Sequence, residues 1–505
     1  MTGQFDLALL IGASVLLVAV AAVRLSTRLG LPSLLVYLAL GMALGEAGIG
    51  IRFDDADLAR ALGFAALIVI IAEGGLTARW STLRRALPLA SALATFGVAI
   101  SVAVVAGVAH YGLGLDWQLS LLYGAVLSPT DAAAVFSTLR RLRLRPRLVA
   151  ALEAESGLND APVVLLVVLI STGALWERPP ALQLAFIGYE LAAGAVVGVA
   201  VGAAGAWALR RAALPASGLY PLAAVGLTVL AYAAGTVLHA SGFLAVYAAG
   251  VLLGNARLPH RRAVLGFADG LAWSAQIGLF VLLGLLVSPA RLLEALLPAL
   301  AIGLTLVLLA RPLSVAGCTL LPGTGPVLGW REQAFLSWAG LRGAVPIVFA
   351  TIPLSTGFAD GSQLFDVVFV LVVIFTLLQG TTLPSAARWL RVTAPAEPAE
   401  LTVESAPLED AGADLLHLDV PSNSRLIGVY VDDLRLPRGA VVTLVTREGS
   451  RFVPSAHTRL RAGDSLLIVT TPDCRDEAER RLRAISRWGR LAAWRRRGGE
   501  SGIPI

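Results

Sequence analysis

Lysine is absent from this chain of 505 residues, so each of its 40 basic side chains is an arginine. That excludes Schiff-base chemistry and any lysine acting as a titrating counter-charge, because a guanidinium stays protonated in proteins. Charge of either sign is scarce: 15% of residues are charged against 57% hydrophobic, with mean hydropathy +0.77. A soluble domain carries about 25% charged residues, so this deficit, spread over long apolar runs, indicates a polytopic membrane protein. The two cysteines, Cys318 in an apolar stretch and Cys474 in a polar one, fall in different regions and suggest neither a disulfide framework nor a metal site. No Gly-rich dinucleotide motif follows a strand, so NAD binding is not expected, although a small nucleotide or other small molecule on the C-terminal region stays open. No cofactor, resident metal, nucleic-acid partner or enzymatic reaction is expected.

Apolar stretches bounded by charges or turn residues fall near 7–24, 31–47, 58–77, 86–111, 118–138, 148–174, 184–209, 217–238, 241–256, 264–287, 294–318, 332–355 and 364–387, which makes thirteen candidate spans. The first follows an acidic start at Asp6 and lacks a small-residue cleavage site, so it reads as a retained helix. Alternate loops hold Arg24 and Arg28; Arg79, Arg84 and Arg85; Arg140, Arg141, Arg143, Arg145 and Arg147; Arg210 and Arg211; Arg257, Arg261 and Arg262; and Arg331. The opposite loops hold little beyond Arg52, Arg60, Arg178 and Arg291. Arginine collects on the cytoplasmic side, so this alternation places the N-terminus outside and the C-terminus inside.

Beyond Trp389 the composition shifts. Residues 1–390 read as the membrane domain, and a Pro/Glu/Ala-rich linker follows at 391–414. Residues 415–486 read as a small cytoplasmic α/β module, with strands near 415–420, 440–446 and 465–470 and a charged helix near 474–486. The end, 487–505, is basic and aromatic, suited to an anionic lipid surface or to solvent.

Three acids stand in two motifs of segments five and six, in apolar sequence where a carboxylate costs about 3 kcal/mol or more and marks a functional site by default. Asp131 follows Ser128-Pro129-Thr130 in segment five; Glu155 and Asp160 lie in Glu155-Ser156-Gly157-Leu158-Asn159-Asp160 of segment six. On a helix Ser156 and Asp160 share one face, and Glu155 and Asn159 the adjacent one. Pro129 disfavours helix at Ser128, leaving carbonyls tolerated at membrane depth only where they line a cavity or meet protein. Oxygen-rich and dehydrated, such a pocket suits a hard monovalent cation or a proton.

Segment twelve carries a second interruption, Gly340-Leu341-Arg342-Gly343-Ala344-Val345-Pro346, seven segments after the first and so antiparallel to it. Two interrupted helices at matching places point to inverted repeats with a site at their crossing, where Asp131 and Arg342 are placed to neutralise the opposed helix ends. Arg311 is a second arginine in apolar sequence; Glu155 is its natural partner, with snorkelling to the inner interface the rival. Glu73 in segment three could reach the pocket through water. Asp269 and Gln276 read as bundle contacts or funnel residues, and His110, His239 and His260 as solvated loop ends.

Together, Gly124-Ala125-Val126-Leu127-Ser128-Pro129-Thr130-Asp131, the Glu155–Asp160 stretch and the Gly340–Pro346 stretch resemble the NhaP-type monovalent cation:proton antiporters across the whole membrane region. The resemblance implies an all-α membrane fold with crossed discontinuous helices, a moving core of six helices and a dimerisation domain. It assigns the exchanged proton or cation to Asn159 and Asp160. Cation contacts fall to Thr130 through its carbonyl, Asp131, Ser156 and, through water, Glu73. Glu155 and Arg311 resemble the family's structural ion pair, and Arg342 matches the arginine of the second crossed helix. The stretch Phe267 to Gly278 and a module like the TrkA C-terminal domain at about 415–486 resemble the branch assigned potassium:proton exchange. K+ is therefore expected over Na+, in an inner-membrane homodimer. Asn159, where electrogenic relatives hold a second acid, implies electroneutral exchange. The rival from another class is a ligand-gated cation channel, which would need no titrating acid.

Overall fold

The computed structural model describes residues 6, 10, 12–22, 32–46, 48–51, 53, 55–131, 135, 139, 144–324, 328–394, 403–408, 413–421 and 424–489. Arg24, Arg28, Arg52, Arg140, Arg141, Arg143, half of the expected linker and the tail from Arg490 lie outside the described residues. The chain divides into two compact units, Met1–Thr393 and Ala394–Ile505.

The first unit is helical. Its elements are α1 (Gly12–Ala22), α2 (Ser33–Leu44), α3 (Ala56–Thr77), α4 (Trp80–Leu113), α5 (Trp117–Leu127), α6 (Pro146–Ser171) and α7 (Pro180–Arg211). There follow α8 (Leu219–Val237), α9 (Gly242–Asn255), α10 (Arg261–Leu285), α11 (Pro289–Thr319), α12 (Trp330–Trp338), α13 (Ala344–Ser355) and α14 (Gly361–Trp389). Among the described residues eight of these are long and apolar enough to cross a membrane, and each remaining predicted segment holds a shorter apolar helix. Local signals set the ends. Asp55 and Asp116 accept from Leu58 N and Gln118 N at 2.9 and 2.8 Å, capping α3 and α5. Proline opens α6, α7 and α11, where its missing donor costs nothing.

Two helix groups result. In one, α2, α3 and α7–α10 approach through small residues: Gly41 against Gly284, Gly75 against Gly250, Gly194 of α7 against Ser241, which precedes α9, and Gly198 and Gly202 of α7 against Ala245 and Ala249 of α9. Hydrocarbon gives helices no hydrophobic reason to associate, so close backbone contact supplies it. The other group is α4–α6 with α11–α14, among which α14 is mostly buried. Here α4 and α11, seven segments apart, each carry a π-helical turn, at Leu93–Gly97 and Leu306–Ala310. Ser314 Oγ donates to the Gly97 carbonyl at 2.8 Å, satisfying backbone freed by such a turn.

The second unit is a five-stranded antiparallel sheet of order β1-β2-β5-β3-β4, formed by β1 (Val403–Leu408), β2 (Ala413–Asp419), β3 (Ala440–Arg447), β4 (Ser450–Phe452) and β5 (Ser465–Thr470). Helix α15 (Pro472–Trp488) lays Ala478, Leu482 and Ile485 on Leu416, Leu418, Val445, Leu466 and Ile468. Gly439 and Gly463 take φ +103° and +83° ahead of β3 and β5, the left-handed turns that glycine permits. Strand β1 falls inside the stretch expected as linker. Its text, Val-Glu-Ser-Ala-Pro-Leu, has weak strand propensity, and pairing with β2 decides it.

Candidate functional site

Helix α5 stops at Leu127. Ser128 closes its last turn, both N–H and Oγ donating to the Ala125 carbonyl, and Pro129 to Asp131 continue without helix. Helix α12 stops at Trp338, and Gly340 to Gly343 are likewise non-helical before α13 begins. The two interruptions meet: Asp131 N donates to the Leu341 carbonyl at 2.9 Å. From one side Arg342 Nη1 donates to the Ser128 and Pro129 carbonyls at 3.0 and 2.6 Å, placing a cation on the negative end of α5. From the other, the Asp131 carboxylate lies so close to Gly343 that a Cβ there would overlap it, placing an anion at the start of α13. Helix α14 satisfies two more of the freed carbonyls: Thr376 Oγ1 donates to Arg342 O at 2.8 Å and Gln379 Nε2 to Trp338 O at 3.0 Å.

Helix α6 passes beside this crossing with Glu155, Asn159 and Asp160 all buried. Asn159 Nδ2 donates to Thr130 Oγ1 at 2.9 Å, so it is the hydroxyl of Thr130 that faces α6, where the resemblance points to its carbonyl. Asn159 Oδ1 and Asp160 Oδ1 have no hydrogen-bond partner among the described residues, and Asp131 is near enough to act on Asp160 electrostatically. A carboxylate and an amide oxygen, both unengaged at the crossing of two broken helices, can accept a cation or a proton but not both at once. Ser156 is half-buried one helical turn before Asp160.

The Glu155 carboxylate takes both prongs of Arg311, Nη1 to Oε1 at 2.5 Å and Nη2 to Oε2 at 2.8 Å, with 2% and 5% of the side chains exposed. Arg311 is therefore held inside the bundle rather than snorkelling, and Arg342 serves carbonyls. Glu73 is half-buried on α3, and its electrostatic neighbours are Asp269 and Glu153. His239 and His260 are exposed, but His110 departs from expectation. It lies in the last turn of α4, half-buried, with Nδ1 2.7 Å from the Leu115 carbonyl and its ring stacked on Trp117 at 4.1 Å. It closes the α4–α5 turn, which joins two apolar segments too tightly to leave the ring in solvent.

Sequence reasoning passed over several groups here. Glu153 precedes Gly157 by four and Asp160 by seven, and that spacing was its signal. Tyr247 packs on Gly157 from α9 and had no signal beyond being a lone aromatic among small residues. Glu332 is buried at the start of α12, where it binds Arg145 and Arg147 at 3.0 and 2.8 Å and accepts from Gly329 N. Buried Asp366 on α14 pairs with Arg291 at 2.8 Å.

A family profile described as sodium/hydrogen exchanger, transmembrane, matches residues 13–389, and one described as TrkA-C domain matches 415–483. The chain is 37% identical over 473 residues to a K(+)/H(+) antiporter NhaP of Alkalimonas amylolytica, covering 92% of this chain and 81% of that protein. It is 38% identical over 468 residues to a K(+)/H(+) antiporter NhaP2 of Shewanella sp. (strain ANA-3), covering 91% and 80%. The solved structure of the sodium proton antiporter MjNhaP1 from Methanocaldococcus jannaschii superposes with a TM-score of 0.63 at 22% identity, over 77% of this chain and 98% of that one, and so shares the fold.

Proposed function

We propose that this chain, which belongs to the sodium/hydrogen exchanger family, is a secondary active antiporter exchanging K+ for H+ one for one across the cell inner membrane. The observation that carries this reading is the buried Asp160, with a carboxylate oxygen unengaged beside Asn159 where the two interrupted helices cross. Asp160 holds either a proton or a cation, and competition for that carboxylate is the coupling. Thr130, Asp131 and Ser156 complete the cation shell, Glu73 contributes through water, and Asn159 fixes Thr130. The Glu155–Arg311 pair and Arg342 hold the crossing together. Moving the deprotonated, cation-free site across would strand a charge in hydrocarbon, so the empty carrier stays put.

The names of the relatives at 37% and 38% identity favour K+. Na+ is the alternative substrate of the same oxygens, in keeping with the printed name of the structural relative. Orientation follows the arginine alternation, with the N-terminus outside and the sheet unit in the cytoplasm, where it serves as a regulatory module open to a small-molecule ligand. The assembly is a homodimer. The test is proton release from everted vesicles on adding K+ or Na+ across a pH series, beside Asp160→Asn. A cation response that vanishes in the variant supports the assignment, and one that survives refutes it. Proton flux that follows membrane voltage at fixed ion gradients refutes the one-for-one stoichiometry.

A further inference from the structure

Between the mouth of α6 and Asp160 stands a side chain that the exchange reading leaves without a task. Glu153, Gly157 and Asp160 form one stripe on α6. Glu153 at its start is exposed and Asp160 is buried, about 10 Å further along at 1.5 Å per residue. Tyr247 of α9 covers the middle of this stripe. A Cβ on Gly157 would overlap the Tyr247 ring and lie 2.8 Å from its phenol oxygen, so the glycine exists to admit the ring. Tyr247 is 5% exposed, and its hydroxyl has no hydrogen-bond partner among the described residues. A buried phenol ordinarily finds one, because a buried donor left unpaired loses its hydrogen bond to water without replacement.

The surroundings say what that hydroxyl meets. Helix α9 is locked to α3 by Gly75 against the Tyr247 carbonyl and Gly250, and by Gly254 against Leu76, so the ring is held on the same rigid pair as Glu73. Asp269 and Glu153 each act electrostatically on Glu73, Glu153 also acts on Tyr247, and Arg79 acts on Glu153. Three acids from α3, α10 and α6 thus gather at the exposed end of the stripe. Two unengaged oxygens, Asn159 Oδ1 and Asp160 Oδ1, wait at the buried end, with the phenol between.

We propose that Tyr247 is a cation-positioning and selectivity residue. Its phenol oxygen takes the place of a water lost by the cation as it moves from Glu153 toward Asp160, and its ring on Gly157 narrows the passage. This rests on the exchange reading above. A neutral hydroxyl offers one lone pair without adding charge, which favours the cation that sheds water more readily, K+ over Na+.

The experiment uses the full chain in everted vesicles, titrated with KCl and separately with NaCl, comparing parent and Tyr247→Phe at matched protein levels. Phenylalanine keeps the ring on Gly157 and removes only the oxygen. The half-saturating K+ concentration should rise about tenfold and that for Na+ by less, so the K+/Na+ preference falls while the saturated rate stays within about twofold. A purely structural ring would leave the preference unmoved. An active parent beside a Tyr247→Phe protein with unchanged half-saturation for both ions overturns the Tyr247 assignment alone. A parent with no cation-driven flux overturns the exchange reading, and this assignment with it.

Discussion

Removing one member of the Glu155–Arg311 pair should cost far more than removing both. The two groups meet through parallel hydrogen bonds of 2.5 and 2.8 Å with almost no exposure. At an effective dielectric of about 20, charges 4 Å apart attract by about 4 kcal/mol, which roughly offsets their desolvation. Glu155→Gln cancels the attraction but leaves the guanidinium buried, a penalty of about 3–5 kcal/mol. That corresponds to about two to three and a half orders of magnitude in the folded-to-unfolded ratio. Replacing both groups by apolar side chains of similar volume, as in Glu155→Leu with Arg311→Met, removes both charges and should return most of the loss. The assay is the fraction of detergent-extracted protein remaining monodisperse after heating at fixed salt, for the parent, both single variants and the double variant. The double variant also separates a structural pair from a transport pair, because recovered stability with cation-driven proton flux places Glu155 in the scaffold. If Glu155→Gln is as stable as the parent, the pair does not hold the bundle and the reasoning fails.

Gly343→Ala should abolish exchange, because its methyl group would occupy the space of the Asp131 carboxylate; vesicle flux at normal protein abundance checks this, and full activity would show that Asp131 can move aside at no cost. In the second unit, burial pushes the Asp464 carboxyl up. Hydrogen bonds from Arg447 and from Arg461 N, at 2.8 Å each, outweigh that and hold it below its ordinary value of 3.8. A carboxyl with a lowered folded-state pKa adds stability above its unfolded pKa and loses it as pH falls through the folded one. Amide-exchange protection around 459–468 in the full chain should therefore decline only below about pH 4. Asp464→Asn should speed exchange there by about 10- to 100-fold at neutral pH, through lost charge-assisted hydrogen bonds, and flatten the acid dependence.

Much of the scaffold was legible because the bilayer imposes its rule residue by residue. Apolar length alone marks each predicted segment, and each has an apolar helix in the structure. Pro129 and the Gly340–Gly343 run announced the interruptions, since proline and glycine act on their own backbone whatever surrounds them. Where sequence reasoning stopped short, the deciding energy was non-local. Strand β1 exists only because β2 offers a partner, so its weak propensity hid it. His110 is set by Trp117 across a turn.

The site divides the same way. Asp131, Glu155 and Asp160 stood out in sequence because carboxylates in apolar text are expensive wherever they point. Their partners did not. For Arg311 the sequence left two readings, pairing with Glu155 or snorkelling, and only the tertiary fold gave it Glu155 and sent Arg342 to the carbonyls of Ser128 and Pro129. Tyr247 lies ninety positions beyond Gly157 and meets it only because glycines bring α9 close to α3 and α6. Composition and spacing determine which groups cannot be left in hydrocarbon unsatisfied. The tertiary structure decides which satisfies which, because that choice is made by distances between helices that no single stretch of sequence encodes.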